Sequence, residues 1–337
     1  MEEGCSVKLS ILDQSPISEG LSAKEALRQS IQLAKAGEKF GYTRYWLTEH
    51  HDLGGLASSA PEILLGVIGA HTEKIKLGSG ALLLPYYRPY KVAETFNTLA
   101  TLFPNRMDLG IGRAPGGAAE ASMALANNFL ENVWKMPELV AELIQFLHDD
   151  FPDSHAFSNV KPAPVPDVPP EIWMLGTSKK SALLAAENGV AYAFGEFMSE
   201  ADGKASMKSY RENFKKSRML ASPKTLLTVT AICAETEERA RELALSSSIW
   251  KIRSAKGKGT YIPSVEEAKK EILSSEEKQV KKQMEQKMLI GTPEQIRERF
   301  QALQKEYETD EIMITTTTHR FEDKINSYRL LAEAILF

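Results

Sequence analysis

Cysteine is nearly absent. Cys5 and Cys233 are the only two in 337 residues, and neither stands in a C-x-x-C or other ligand spacing. That excludes a disulfide framework and a cysteine-based metal centre, and it points to a reducing, cytoplasmic setting. No apolar run reaches the ~18 residues of a membrane span. The first ten residues carry Glu2 and Glu3 and no apolar stretch, so no secretory signal is expected. A basic block is also missing. The Lys-rich stretch 269–287 is interleaved with Glu and reads as a solvated helix face, which argues against nucleic acid as a partner. No Pro/Gly/Ser linker separates two cores, so one domain over 1–337 is expected.

What remains is ordinary globular composition, with 43% hydrophobic and 26% charged residues and a net charge of −4. Such a chain can bury a large core without staples. Short β-rich runs alternate with helical patterns. Strands are expected over 7–12, 45–48, 75–84, 107–111, 172–175, 190–194, 226–233 and 311–315. Ser22 with Glu25, and Thr292-Pro293 with Gln295, are capping boxes that start helices. A single long helical region is expected over 118–150. The stretch 151–170, with six prolines, reads as an extended excursion, and 235–288 as a charged, mostly helical insertion. Eight strands alternating with helices imply parallel pairing through right-handed crossovers. An open doubly wound sheet competes with a closed (β/α)8 barrel, and eight units favour closure. The expected fold is therefore a (β/α)8 TIM barrel with an excursion before the fifth strand and a helical insertion between the seventh and eighth.

Four constellations could carry chemistry. Thr48-Glu49-His50-His51 ends the second strand. Side chains alternate along an extended chain, so at most one of the two histidines should face a barrel mouth. One imidazole can act as an acid or base, with Glu49 as its orienting partner. A hydrogen-bonded structural cluster is the plainer alternative. The H-E-x-x-H spacing is absent, so no metal is expected. Gly78-Ser79-Gly80-Ala81 lies in the third strand and marks either close approach of a ligand or tight packing. The run 110–117 fails the dinucleotide fingerprint, because Pro115 takes the place of its third glycine. It reads as a small-residue loop presenting Arg113 to an anion, or as a surface turn. Leu175-Gly176-Thr177-Ser178-Lys179-Lys180-Ser181 leads into a helix whose first N–H groups suit phosphate. Plain N-capping by Ser178 accounts for it too, and both can hold.

All four fall at or near the carboxyl ends of the second to fifth strands. That coincidence suggests a cofactor with an apolar body over the rim and a phosphate at Arg113 and Ser178.

At these residues the chain resembles the bacterial luciferase-like family of flavin-dependent oxidoreductases. The likeness rests on the stretches 45–51, 77–85, 105–113, 173–178 and 291–294, taken in order and spacing. It implies a (β/α)8 barrel, reduced FMN delivered by a separate flavin reductase, and molecular oxygen, one atom of which goes to a small-molecule substrate. His50 falls at the family's catalytic imidazole. Gly80-Ala81 falls at a non-proline cis peptide behind the isoalloxazine ring. Arg113, Thr177, Ser178 and Ser181 fall at its phosphate contacts, and Leu175 and Gly176 among its other cofactor-binding positions. Departures are Gly112 where the light-emitting α subunit has a reactive cysteine, Thr177 where it has Glu, and Ala-Pro-Gly-Gly after Arg113. They set the chain with stand-alone monooxygenase-like relatives, away from light emission. Alternatives are hydride transfer with a deazaflavin, or flavin binding without turnover. The family also implies a homodimer, here through Ile63, Leu64, Leu65, Val67 and Ile68 together with Val92, Phe96 and Leu99. The loops and the 235–288 insertion, where substrate would sit, carry no recognisable signature.

Overall fold

A computed structural model describes residues 7–256 and 261–337; Cys5 lies outside the described residues. The strands are β1 (Lys8–Asp13), β2 (Arg44–Leu47), β3 (Lys76–Ser79), β4 (Leu82–Leu83), β5 (Met107–Gly112), β6 (Glu171–Gly176), β7 (Ala191–Gly195), β8 (Thr225–Cys233), β9 (Leu289–Gly291) and β10 (Glu311–Thr315). Every pairing among them is parallel. The order runs β10-β1-β2-β3-β5-β6-β7-β8, and β10 pairs back with β8 to close an 8-strand barrel. Strands covered on both faces read as nearly continuous apolar runs, and in β1 only Lys8 is exposed.

The helices are α1 (Ala23–Phe40), α2 (Pro61–Gly69), α3 (Pro89–Leu102), α4 (Ala119–Leu125), α5 (Phe129–Trp134), α6 (Met136–His148), α7 (Lys179–Glu187), α8 (Gly203–Asn213), α9 (Glu237–Ala255), α10 (Val265–Lys269), α11 (Ser275–Lys287), α12 (Pro293–Tyr307) and α13 (Phe321–Ile335). Both expected capping boxes form, at Ser22 and at Thr292. The outer core lies between strands and helices. A smaller one, with Leu12, Trp46, Trp173, Ala191, Ala193, Leu226 and Met313, fills the barrel interior.

Three local expectations need correction. The third strand is not continuous over 75–84. It breaks at Gly80-Ala81, whose peptide bond is cis, and β3 and β4 both pair with β5. The helical region 118–150 is three helices, interrupted at Ala126, where the backbone turns extended, and again at Lys135. Pro137 then sits in the first turn of α6, where a missing N–H costs nothing. The end of the insertion adds a short strand, β9, which pairs with Ala231, Ile232 and Cys233. β8 therefore overhangs the barrel, and its overhang carries α9 over the rim.

The amino end of the barrel is sealed. Arg44 Nε donates to Glu311 Oε1 at 2.7 Å and Nη1 to Asp108 Oδ2 at 2.7 Å. Lys76 and Lys224 both pair with Glu171. Above them Trp46 Nε1 donates to Asp108 Oδ2 at 2.9 Å, and the Trp46 and Trp173 rings meet edge to face at 5.4 Å. Burial pushes the Glu171 carboxyl up, but Arg44, Lys224 and Lys76 outweigh it and hold it down at about 2. Burial keeps Asp108 above the ordinary aspartate value in spite of Arg44. With this floor closed, a ligand must enter from the carboxyl rim.

Candidate active site

The first residues past each strand build the rim. All ten sequence-predicted positions (Glu49, His50, Gly80, Ala81, Arg113, Leu175, Gly176, Thr177, Ser178 and Ser181) line one cavity of about 360 Å³. The four constellations thus converge, as strand-end residues of a barrel should. Leu12, Met313 and Ala193 rise from the barrel interior to meet them.

One wall of this cavity is built from the small residues Gly80, Ala81 and Gly112. A Cβ on Gly112 would stand 3.0 Å from Ala81 Cβ, so the backbones of β5 and of the β3–β4 break approach as closely as small residues allow. A planar ring can lie against such a wall.

At one end stands Arg113, half-buried, with no hydrogen bond or ion pair to any described residue. Beside it α7 begins. Ser178 caps it by accepting from Ser181 N–H, and the Ser181 hydroxyl donates to the Ser178 carbonyl at 2.7 Å. Capping by Ser178 is therefore present, and the earlier N–H groups of the first turn stay free for a ligand. Lys180 lies 5.5 Å from the Trp134 ring and adds positive charge nearby. An unpaired guanidinium next to a helix N-terminus is a ready anion seat.

At the other end stands His50. Both ring nitrogens are buried without a hydrogen-bond partner, as is Thr48 Oγ1. Burial holds its pKa below the ordinary imidazole value, with the Gly116 backbone opposing the shift and His51 adding to it. The ring is therefore neutral at neutral pH.

Glu49 does orient an imidazole, but that of His51 instead of His50. Its Oε1 accepts from His51 Nε2 at 2.7 Å and from Tyr87 Oη at 2.7 Å, and Oε2 accepts from Leu83 N–H at 2.8 Å. Alternation along the extended chain sends His50 and His51 to opposite sides, as the sequence implies. Glu49 thus ties the β2 loop to β4 and to the segment that leads into α3. The loop is held further by His50 N–H to the Ser58 carbonyl and His51 N–H to the Gly116 carbonyl, each at 2.9 Å. At Gly117 a Cβ would fall 2.0 Å from the His51 carbonyl oxygen, so only glycine allows these loops to touch.

A second cavity, of about 500 Å³, adjoins the first and shares Gln14, His50 and Phe197 with it. Sequence reading missed its lining. Gln14 follows β1 directly, and its strand-end position alone could have marked it. Trp250 and Lys251 come from α9, where nothing in a charged helical pattern singles them out. Among the described residues no group of three or more His, Cys, Asp or Glu is placed to hold a metal ion. Nor is any described helix long and apolar enough to cross a membrane.

Residues 7–308 match the profile of the luciferase-like monooxygenases. The chain belongs to this family. Among curated relatives of this luciferase-like monooxygenase, the uncharacterized protein YceB of Bacillus subtilis is 42% identical over 98% of the chain and 100% of its own length. The N-acetyl-S-alkylcysteine monooxygenase of the same organism is 35% identical over 98% of both chains. Among solved structures, apo-MsnO8 superposes with a TM-score of 0.85 at 31% identity, covering 98% of each chain. In this luciferase-like monooxygenase, Gly80, Ala81, Gly112, the unpaired Arg113 and His50 all line the one cavity at the carboxyl rim.

Proposed function

We propose that this protein is an FMN-dependent monooxygenase that uses reduced flavin and O2 to oxygenate a small organic substrate. One observation carries the reading. A single cavity joins an unpaired Arg113 beside the start of α7, a wall of small residues, and an imidazole that burial keeps neutral. Reduced FMN would supply the electron pair that splits O2, one oxygen atom going to the substrate and the other leaving as water. The chain's own part is binding and proton handling. Arg113 offers a planar fork of donors to the phosphate, and the first turn of α7 adds N–H groups and the positive end of its dipole. Gly80, Ala81, Gly112 and Leu175 support the apolar ring face. His50 takes or returns a proton at one of its open nitrogens.

Arg113→Ala is expected to weaken reduced FMN binding by roughly 10–100-fold, since one charge-assisted contact to phosphate is lost. Anaerobic titration of reduced FMN into both proteins measures this. A wild-type protein that binds neither oxidised nor reduced FMN ends the reading. A protein that binds only a deazaflavin would replace FMN by that cofactor.

A separate flavin reductase in the cytoplasm would deliver the reduced FMN. The two isolated cysteines support that compartment. The Cys233 thiol is inert, since burial pushes its pKa up to about 12.

The homodimer also belongs to this proposal. Of the apolar residues on α2 and α3, Leu64, Leu65, Ile68, Val92, Phe96 and Leu99 are buried against the barrel and cannot reach a partner. Ile63 is 68% exposed, Val67 40% and Leu102 62%, which leaves a narrower face for pairing. Wild type should sediment as a dimer at micromolar concentration, and Ile63→Glu should shift it to monomer. A monomeric wild type would overturn the pairing.

A further inference from the structure

The cavity beyond His50 lies under α9. Ser247, Trp250, Lys251 and Ser254 line it at i, i+3, i+4 and i+7, so one face of the helix looks in. The segment Asp52–Leu56 after β2 forms another wall, and Thr230, Thr315 and Thr317 stand at the strand ends. The lining is mostly apolar.

Lys251 is anomalous there. The other cations of α9 have carboxylates: Arg239 with Asp323, Arg241 with Glu237, and Arg253 with Glu271. Lys251 is half-buried and has neither an ion pair nor a hydrogen bond with any described residue. The titratable groups sharing its cavity are His50 and Asp52. Asp52 is exposed and forms no ion pair with it. One turn earlier on the same face, Ser247 Oγ is buried with no partner. Burial alone draws the Lys251 pKa below the ordinary lysine value. An ammonium withdrawn from water without a counter-charge is unfavourable, and a lysine stem is long enough to reach solvent when nothing holds it back. Lys251 without a counter-charge and Ser247 without a hydrogen-bond partner stand on the one helix face that lines this cavity, and together they offer the complement of a carboxylate.

We propose that Lys251, with the Ser247 hydroxyl, anchors the carboxylate of the substrate, so that this protein oxygenates a small organic acid. The apolar remainder of that acid would extend past Trp250 and Phe197 toward His50. The assignment takes its catalytic meaning from the flavin reading, but the anion site itself needs no flavin.

Calorimetric titration of flavin-free protein tests it, with hexanoate, hexanamide and inorganic phosphate as probes. Hexanoate should bind wild type saturably, and Lys251→Met should weaken it at least about tenfold, the effect of one charge-assisted contact. Lys251→Arg should stay within about threefold of wild type, because the charge is kept. Hexanamide should bind more weakly and be indifferent to both changes. Arg113→Ala should leave hexanoate binding intact, which separates this site from the phosphate seat. The proposal is overturned if hexanoate does not bind, if hexanamide binds equally well, if Lys251→Met binds hexanoate like wild type, or if inorganic phosphate binds Arg113→Ala as tightly as hexanoate does and loses that binding in Lys251→Met. Should Lys251→Met fail to fold, Lys251→Arg and the hexanoate–hexanamide difference in wild type decide. A parallel titration with reduced FMN keeps the two readings apart. Failure of FMN to bind sinks the flavin assignment and leaves the carboxylate anchor standing.

Discussion

His50→Ala is expected to lower the rate of substrate oxygenation by about 10²–10⁴-fold, the usual worth of a positioned acid or base, while reduced FMN still binds. The geometry behind this is specific. The two nitrogens of His50 are buried and unpartnered, and the residue lines both the rim cavity, where we propose that flavin binds, and the second cavity. A proton moving between substrate and flavin has this imidazole at hand. Its lowered pKa fixes the sign of the pH dependence. The neutral ring would be the competent base, so kcat/KM should rise with pH with its midpoint below the ordinary histidine value of about 6.5. The alanine variant should lack this acid limb. Stopped-flow oxidation of the bound reduced flavin, followed with and without substrate, separates binding from turnover. If oxygen consumption with bound reduced flavin is unchanged in His50→Ala, the protein holds flavin without His50 doing chemistry. Glu49→Gln provides a contrast. Glu49 acts on His51, Tyr87 and the Leu83 N–H, so its loss should loosen the β2 loop and lower thermal stability without abolishing the acid limb.

The contrast between those two neighbours shows how far the sequence could be read. Period-two alternation was enough to say that His50 and His51 part company. The same period puts Glu49 on the side of His51, two residues on, a consequence that the pairing of Glu49 with His50 passed over; what it could not show was that Tyr87 and Leu83 would complete the Glu49 carboxylate's partners. The barrel was legible because each of its parallel strands is a short apolar run bounded by polar or small residues, and the four motifs shared one position in that rhythm. The region 118–150 was misread for the opposite reason. Apolar periodicity continues across Ala126 and Lys135, and nothing in a period reveals a change of axis. β9 escaped notice because three residues, Leu289–Gly291, are too few to show alternation. The same limit hid Lys251. On α9 it is one charge among several, and only the overhang of β8, which turns that helix face over the rim, gives it a cavity to face.

Arg44→Met should cost about 3–5 kcal/mol of unfolding free energy, the expected penalty for stripping a buried cation from its carboxylates. Arg44 is 3% exposed and bridges β5 and β10 through Asp108 and Glu311 at 2.7 Å each. Without it Asp108, already raised by burial, faces Glu171 and Glu311 with only Lys76 and Lys224 to offset them. The deficit should depend on pH in a definite direction. The Glu171 carboxyl, held at about 2, contributes stability that is fully present above its unfolded value of 4.5 and is lost as pH falls toward 2. Arg44 supplies much of that depression, so the gap between wild type and variant should be widest near neutral pH and narrow through the acid range. Chemical denaturation at about pH 7 and about pH 4 measures both slopes. Arg44→Lys should recover only part of the loss, since one ammonium cannot serve two carboxylates on different strands as a guanidinium fork does. A loss below about 1 kcal/mol would mean that the floor network behaves like a solvated surface set. Whatever its stability, the folded fraction of Arg44→Met should bind reduced FMN as wild type does. The barrel keeps Arg44 at its amino end and His50 and Arg113 at its carboxyl end, with the Trp46–Trp173 pair between them. A coupled loss of FMN affinity in the folded variant would show that the floor sets the shape of the rim, and that these two ends are not independent.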